Sequence, residues 1–141
     1  MTSKGEPFAV WNTLHDGTID AISGVVPGDV LMTIGIEYLC RVLPTAAVQL
    51  NLHLRSCTLL RYAPFLGVPM EGVEALAGQG IEILSAACPA RVVEIACASG
   101  HLSLEYEEVV IQLVEGRIIS QEELESAAER YWREWERENR S

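Results

Sequence analysis

Between Val48 and Arg55 the chain alternates without a break. Val48, Leu50, Leu52 and Leu54 take one parity and Gln49, Asn51, His53 and Arg55 the other. Successive side chains of a strand point to opposite faces, so this segment has one dry face and one wet face. That pattern belongs to an antiparallel sheet covered on one side. The predicted strand runs from Val48 to Leu60. Its pattern blurs after Cys57, and Tyr62-Ala63-Pro64 marks an end or a bulge, because proline cannot donate to a ladder.

The flanking sequence repeats the theme. Phe8 to Leu14 reads as a first strand that turns through Asp16-Gly17 into a second at Thr18–Val26. Pro27-Gly28-Asp29 then reverses the chain into Val30–Leu39. There Val30, Met32, Ile34, Ile36 and Tyr38 alternate with Leu31, Thr33, Gly35 and Glu37. Leu39 to Ala47, with Pro44, is a connection. Pro64 to Gln79 is a loop with a short helix over Met70–Ala77. Further strands are predicted at Ile81–Ala87, Val92–Ala98 and Leu102–Val114. In the last, the apolar parity changes from Leu102, Leu104 and Tyr106 to Val109, Ile111 and Leu113, which requires a bulge or turn near Glu107-Glu108. Glu115-Gly116 turns into a short strand, Arg117–Ile119. No internal repeat is visible.

Period changes at Ser120. This serine with Glu123 spells a capping box. Leu124, Ala127, Ala128, Tyr131, Trp132 and Trp135 form one continuous apolar stripe at helical spacing. Glu122, Glu123 and Glu125 near the start, and Arg133, Arg137 and Arg140 near the end, suit the helix dipole. Glu129 and Arg133 form an i,i+4 pair. The expected fold is α+β: a mostly antiparallel, curved β-sheet of six to eight strands packed against this C-terminal amphipathic helix, about residues 121–138. The helix should lie across one sheet face with Trp132 and Trp135 inward. The 141 residues suit a single domain over 8–141, with 1–7 as a flexible tail.

Charge narrows the partners. A net −10 argues against nucleic acid and anionic membranes, both of which need a positive footprint, and suits a basic protein partner; neither a nucleic-acid nor a membrane partner is expected. No apolar run reaches the roughly 18 residues of a spanning helix. Met1 to Pro7 lacks the apolar core of a secretory signal, so a cytoplasmic location is expected. The four cysteines, at 40, 57, 88 and 97, include no C-x-x-C pair, and reduced, packed thiols are expected. No cofactor or metal is expected.

Several residues are candidates for chemistry. His15-Asp16 invites a catalytic or metal reading, yet neighbours in a strand point apart, and Asp16-Gly17 reads equally as a turn. His53 and Cys57 share a parity but would lie roughly 13 Å apart in a regular strand, too far for one ion without His15 or His101. Cys57 sits between Arg55 and Arg61, cations that would lower a thiol's pKa. Glu105, Glu107 and Glu108, with Glu94 on a neighbouring strand, form either a guarded edge or an acidic docking surface. Arg130 and Tyr131 could reach a partner from the C-terminal helix. There is no phosphate loop, dinucleotide fingerprint, H-E-x-x-H or G-x-S-x-G motif.

The string Trp11-Asn12-Thr13-Leu14-His15-Asp16-Gly17-Thr18-Ile19, followed by a strand ending Ile36-Glu37-Tyr38-Leu39, resembles a group of small bacterial proteins. These open with (F/L)-H-D-(G/A/S)-x-(I/L), and some are grouped with immunity proteins of polymorphic toxin systems. The resemblance covers about thirty residues, implies twisted antiparallel sheets with helices on one side, and transfers no catalytic residue. Three expectations follow. One is a non-enzymatic, immunity-like module that binds a basic protein. The second is a small-molecule binder or hydrolase using His15 and Asp16 with His53 or His101. The third is a homodimer formed through an open sheet edge.

Overall fold

A computed structural model describes residues 9–89 and 91–139. The chain begins with α1 (Ala9–Thr13), β1 (Thr18–Gly24), β2 (Gly28–Gly35) and α2 (Glu37–Cys40). It continues through β3 (Gln49–Cys57), β4 (Leu59–Pro64), β5 (Met70–Glu71) and α3 (Val73–Leu76). The second half holds β6 (Ile81–Ala87), β7 (Val93–Cys97), β8 (Gly100–Glu105), β9 (Glu108–Leu113), β10 (Ile118–Ile119) and α4 (Gln121–Asn139). The expected α+β class, antiparallel sheet and C-terminal helix are all present. No helix among the described residues is long and apolar enough to cross a membrane.

The open sheet has ten strands, in the order β10-β9-β3-β2-β1-β6-β7-β8-β4-β5, rather than six to eight. The extra strands come from corners. Only Thr58 separates β3 from β4, and only Tyr106-Glu107 separates β8 from β9. At the first corner Ser56 takes a left-handed φ of 53°. Backbone bonds from Thr58 to Glu105 (2.8 Å) and from Glu107 to Arg55 (2.9 Å) lock the two corners together. The parity change after Tyr106 is this second corner. The remaining addition, β5, is a two-residue edge, and the other edge, β10, is the expected Arg117–Ile119 strand cut to two residues.

These corners give a topological repeat that the sequence does not display. A meander, β1-β2-β3, bends and lends β4 to the other half, where it pairs with β8. The second meander, β6-β7-β8, bends and lends β9 back to β3. Each lent strand then pairs with a two-residue strand and leads into a helix, β5 to α3 and β10 to α4. The two ends of the strand order are therefore halves of the same two chain segments, and the sheet curls. The seam between the meanders is narrow, with Thr18 opposite Glu82 and Ile19 opposite Ile81.

One face of the curled sheet is dry. Met32, Ile34, Leu50, Leu52, Leu54, Ile83, Ile95, Leu102 and Leu104 are fully buried. The opposite parity of β2, β3 and β9 is half-buried and polar, with Thr33 donating to Asn51 (2.9 Å) and His53 bonded to Gln112 (2.7 Å).

The expected Phe8–Leu14 strand is instead helix α1 over its described part. Val10, Trp11 and Leu14 are fully buried, and positions i, i+1 and i+4 share one helical face. Trp11 Nε1 donates to the Tyr106 hydroxyl at 3.0 Å, fastening α1 to the β8–β9 corner. Asn12 Nδ2 donates to Ala86 O (3.0 Å) and Oδ1 accepts from Ala86 N (2.9 Å), as a neighbouring strand would. Two strand limits also change. Thr18–Val26 stops at Gly24, and Val30–Leu39 gives way after Gly35 to the helical turn α2. The expected tail at 1–7 lies outside the described residues.

Helix α4 keeps its predicted start. Ser120 Oγ accepts from Glu123 N (3.0 Å) and Glu123 Oε1 accepts from Ser120 N (3.2 Å), the reciprocal bonds of a capping box. Its packing is different from the expectation. Leu124 and Ala127 are buried as α4 packs on α1 and α2, and Arg130 reaches Val42 O at 2.8 Å. Farther on, Trp132 is half-buried and Trp135 is 47% exposed, so the two tryptophans do not lie inward. Glu129 and Arg133 do not come within ion-pair distance of each other, although they are spaced for it.

Candidate functional site

The short α1 and the long α4 run together only over the first turns of α4. From Glu125 onward the helices leave a groove of about 590 Å³, broadly open to solvent. Asn12, Thr13 and His15 form one wall, and Glu125, Glu129, Trp132, Arg133 and Glu136 the other.

His15 is set by the turn that follows α1. Asp16 adopts φ 69°, and Gly17 N closes the turn on Leu14 O at 2.9 Å. A side chain on Gly17 would stand 2.9 Å from that carbonyl and 3.0 Å from Ile34, so only glycine fits the approach. Because this is a turn and not a strand, the two neighbouring side chains do not point apart. His15 Nδ1 lies 3.4 Å from Asp16 Oδ2. The contact turns Nδ1 toward the carboxylate and Nε2 away from it. The same turn bonds across the sheet seam, from Asp16 N to Ile83 O (2.7 Å) and from Ile83 N to Gly17 O (2.8 Å).

An aromatic cluster supports the ring. His15 stacks on Trp132 with centroids 5.5 Å apart and planes 16° from parallel. Tyr38 donates its hydroxyl to His15 O at 2.8 Å and tilts against Tyr131 at 4.7 Å. Burial pushes the Tyr38 phenol up to about 12, with the nearby Asp16 charge as a lesser cause. Tyr131 meets Trp132 edge-on at 5.0 Å, and Trp132 meets Trp135 edge-on at 6.0 Å. The cluster thus continues from the protein body out onto an exposed helix face. The stacked His15–Trp132 pair joins the two walls of the groove, and its α4 wall carries the carboxylates of Glu125, Glu129 and Glu136 beside Arg133.

The other candidates lie apart from this groove. His53 is on β3 bonded to Gln112, and His101 is on β8 at 3.1 Å from Glu94. The three histidines therefore have separate partners on separate elements. Among the described residues, no group of three His, Cys, Asp or Glu side chains could hold a metal ion. The expectation for Cys57 is overturned: its side chain is fully buried, donates to Leu59 O at 3.3 Å, and has its pKa raised by burial. Arg55, its expected activator, pairs with Glu108 at 3.5 Å. Cys40 and Cys97 are likewise buried, and burial lifts both thiols to about 11.

The acidic sheet residues are largely neutralised within the chain. Glu94 accepts from Ser103 Oγ at 2.5 Å as well as facing His101. Glu105 accepts from Thr58 and pairs with Arg91 at 3.5 Å. Glu108 pairs with Arg55 at the surface, and Glu107 beside it is likewise exposed. The aromatic cluster is not legible from a strand parity at Tyr38, which sits in the helical turn α2, and the contact of Trp11 with Tyr106 is not legible from a strand at Phe8–Leu14. The helical spacing of Val10, Trp11 and Leu14 was the available signal.

Compared with known proteins, the chain matches no family model, no curated protein and no solved structure.

Proposed function

We propose that the protein is a non-enzymatic binding module that takes a basic segment of a partner protein into the α1–α4 groove. The observation that carries this reading is the open groove itself, with Trp132 and His15 as a stacked pair beside the carboxylates of Glu125 and Glu129. Exposed aromatic rings are the usual anchors of protein interfaces. The three carboxylates of the α4 wall, against the single cation Arg133, and a net charge of −10 steer a positive partner toward them. The groove replaces the sheet acids Glu94, Glu105 and Glu108 as the docking surface, because Glu105 and Glu108 pair with Arg91 and Arg55 and Glu94 is engaged by Ser103 and His101 in their own chain. An immunity-like role would use the same contact, capturing a basic toxin and occluding it.

The test is a pull-down from native lysate with the full chain and with Trp132→Ala and Glu129→Lys. A stoichiometric basic partner should be retained by the wild type and lost on raising salt. Truncating the tryptophan should weaken binding by roughly thirtyfold, the scale of a hot-spot residue of about 2 kcal/mol. Absence of a stoichiometric partner, or equal retention by both variants, refutes the reading.

The 3.4 Å contact between His15 and Asp16 favours a second reading, a small-molecule binder or hydrolase with His15 as base. In that case His15→Gln abolishes turnover of a small ester or phosphoester while partner retention is unaffected. A homodimer joined through a sheet edge has less to use, since β5 and β10 offer two residues each. Light scattering that gives a dimer mass would restore it.

A further inference from the structure

The turn between β4 and β5 is built unlike its counterpart in the topological repeat. Between β9 and β10 stands Val114-Glu115-Gly116-Arg117, a charged turn pinned to the body, where Glu115 accepts from Thr45 Oγ1 at 2.6 Å and Ala46 N at 3.0 Å. Between β4 and β5 stands Phe65-Leu66-Gly67-Val68-Pro69. Phe65 is 71% exposed, Leu66 96% and Val68 78%. From Ala63 to Met70 no side chain carries a charge, hydroxyl, amide or carboxyl group. The architecture needs a reversal at this place. It does not need an apolar one, because the other half makes the same reversal with charged residues.

We propose that this tip inserts into the interfacial layer of a neutral phospholipid bilayer. Shape is the first reason: nothing packs around Leu66, so the tip is a convex wedge. Three side chains fall well short of the roughly 800 Å² per partner of a stable protein interface, which argues against a second copy as occupant. Chemistry is the second reason. Protein interfaces carry about one hydrogen bond per 100–200 Å², and this tip has no side chain to make one, whereas a lipid layer asks only for apolar surface. Backbone is the third. Pro64 and Pro69 have no N–H, and Phe65 N already donates to Ser99 O at 2.9 Å, so the donors left are those of Leu66, Gly67 and Val68, which the headgroup oxygens of the interfacial layer can accept. The net charge of −10 selects neutral over anionic headgroups. This contact is independent of the groove reading, which uses no residue of β4 or β5.

Flotation of the full chain with phosphatidylcholine vesicles tests it, beside the double variant Phe65→Ser/Leu66→Ser. These side chains are exposed, so the variant should keep the wild-type melting temperature. The wild type should float, the variant should partition at least about tenfold more weakly, and added phosphatidylserine should weaken the wild type. Failure of the wild type to float, or equal partition of wild type and variant, overturns the proposal. So does binding that strengthens with phosphatidylserine, or a self-association lost in the variant without any vesicle binding.

Discussion

Tyr106→Phe removes a single oxygen, and the structure says what it leaves behind. Trp11 is fully buried, and its indole N–H donates to the Tyr106 hydroxyl at 3.0 Å. A buried donor stripped of its acceptor costs about 1–3 kcal/mol. Tyr106 is itself only half-buried, and removing its hydroxyl relieves part of that group's own desolvation. The expected net loss is about 1–2 kcal/mol. With a urea slope of about 2 kcal/mol per molar, the unfolding midpoint should fall by about 0.5–1 M. A cycle with Trp11→Phe and the double variant isolates the contact: the double variant should be less destabilised than the sum of the singles, by about 1 kcal/mol. A Tyr106→Phe protein within about 0.3 kcal/mol of wild type, or an additive cycle, would refute the claim that this bond fastens α1 to the sheet corner.

Stability should also fall in alkali. Burial holds Cys40 and Cys97 at about 11, against an ordinary 9.0, and Tyr38 and Tyr106 at about 12, against 10.0. Each folded value lies above its unfolded one, so the unfolded chain ionises first and the native state loses ground as pH rises. Urea midpoints should hold steady below pH 9 and decline from there to pH 12, and a flat profile would contradict the assigned burial. Ser120→Ala deletes the acceptor of Glu123 N and should cost about 1 kcal/mol, read as a lower thermal midpoint and frayed first-turn amides in α4. An unchanged midpoint would mean that α4 is held by its packing alone.

The elements that could be read from sequence are those whose signals are local. The capping box at Ser120 and Glu123 needs only four consecutive residues, and the alternation of β3 needs only a periodicity. The parity change after Tyr106 showed that something had to bend there, but not that β9 would cross to β3. That crossing depends on a partner some sixty residues away, as from Leu52 to Ile111, and single-strand patterns hold no such information. Helix α1 was misread because five residues give barely more than one turn, in which Asp16-Gly17 looked like a hairpin. The candidate site followed the same rule. His15 and Asp16 were identified by type, but their mutual approach depends on the left-handed backbone of Asp16. Their contact with the aromatic cluster depends on α4 packing against α1 and α2.

The exchange of strands between the two meanders has a kinetic consequence. Each meander, β1-β2-β3 or β6-β7-β8, pairs only near neighbours and can form while the rest of the chain is still searching. Joining them requires residues 50–64 to meet residues 100–113, two contacts of long sequence separation that must be made together because both pass through the same corners. Loop closure of that length is charged before the pairing returns anything. Folding should therefore be limited by the clasp rather than by either half. Until β8 and β9 have both been synthesised, a growing chain presents β3 and β4 as one long unpaired edge.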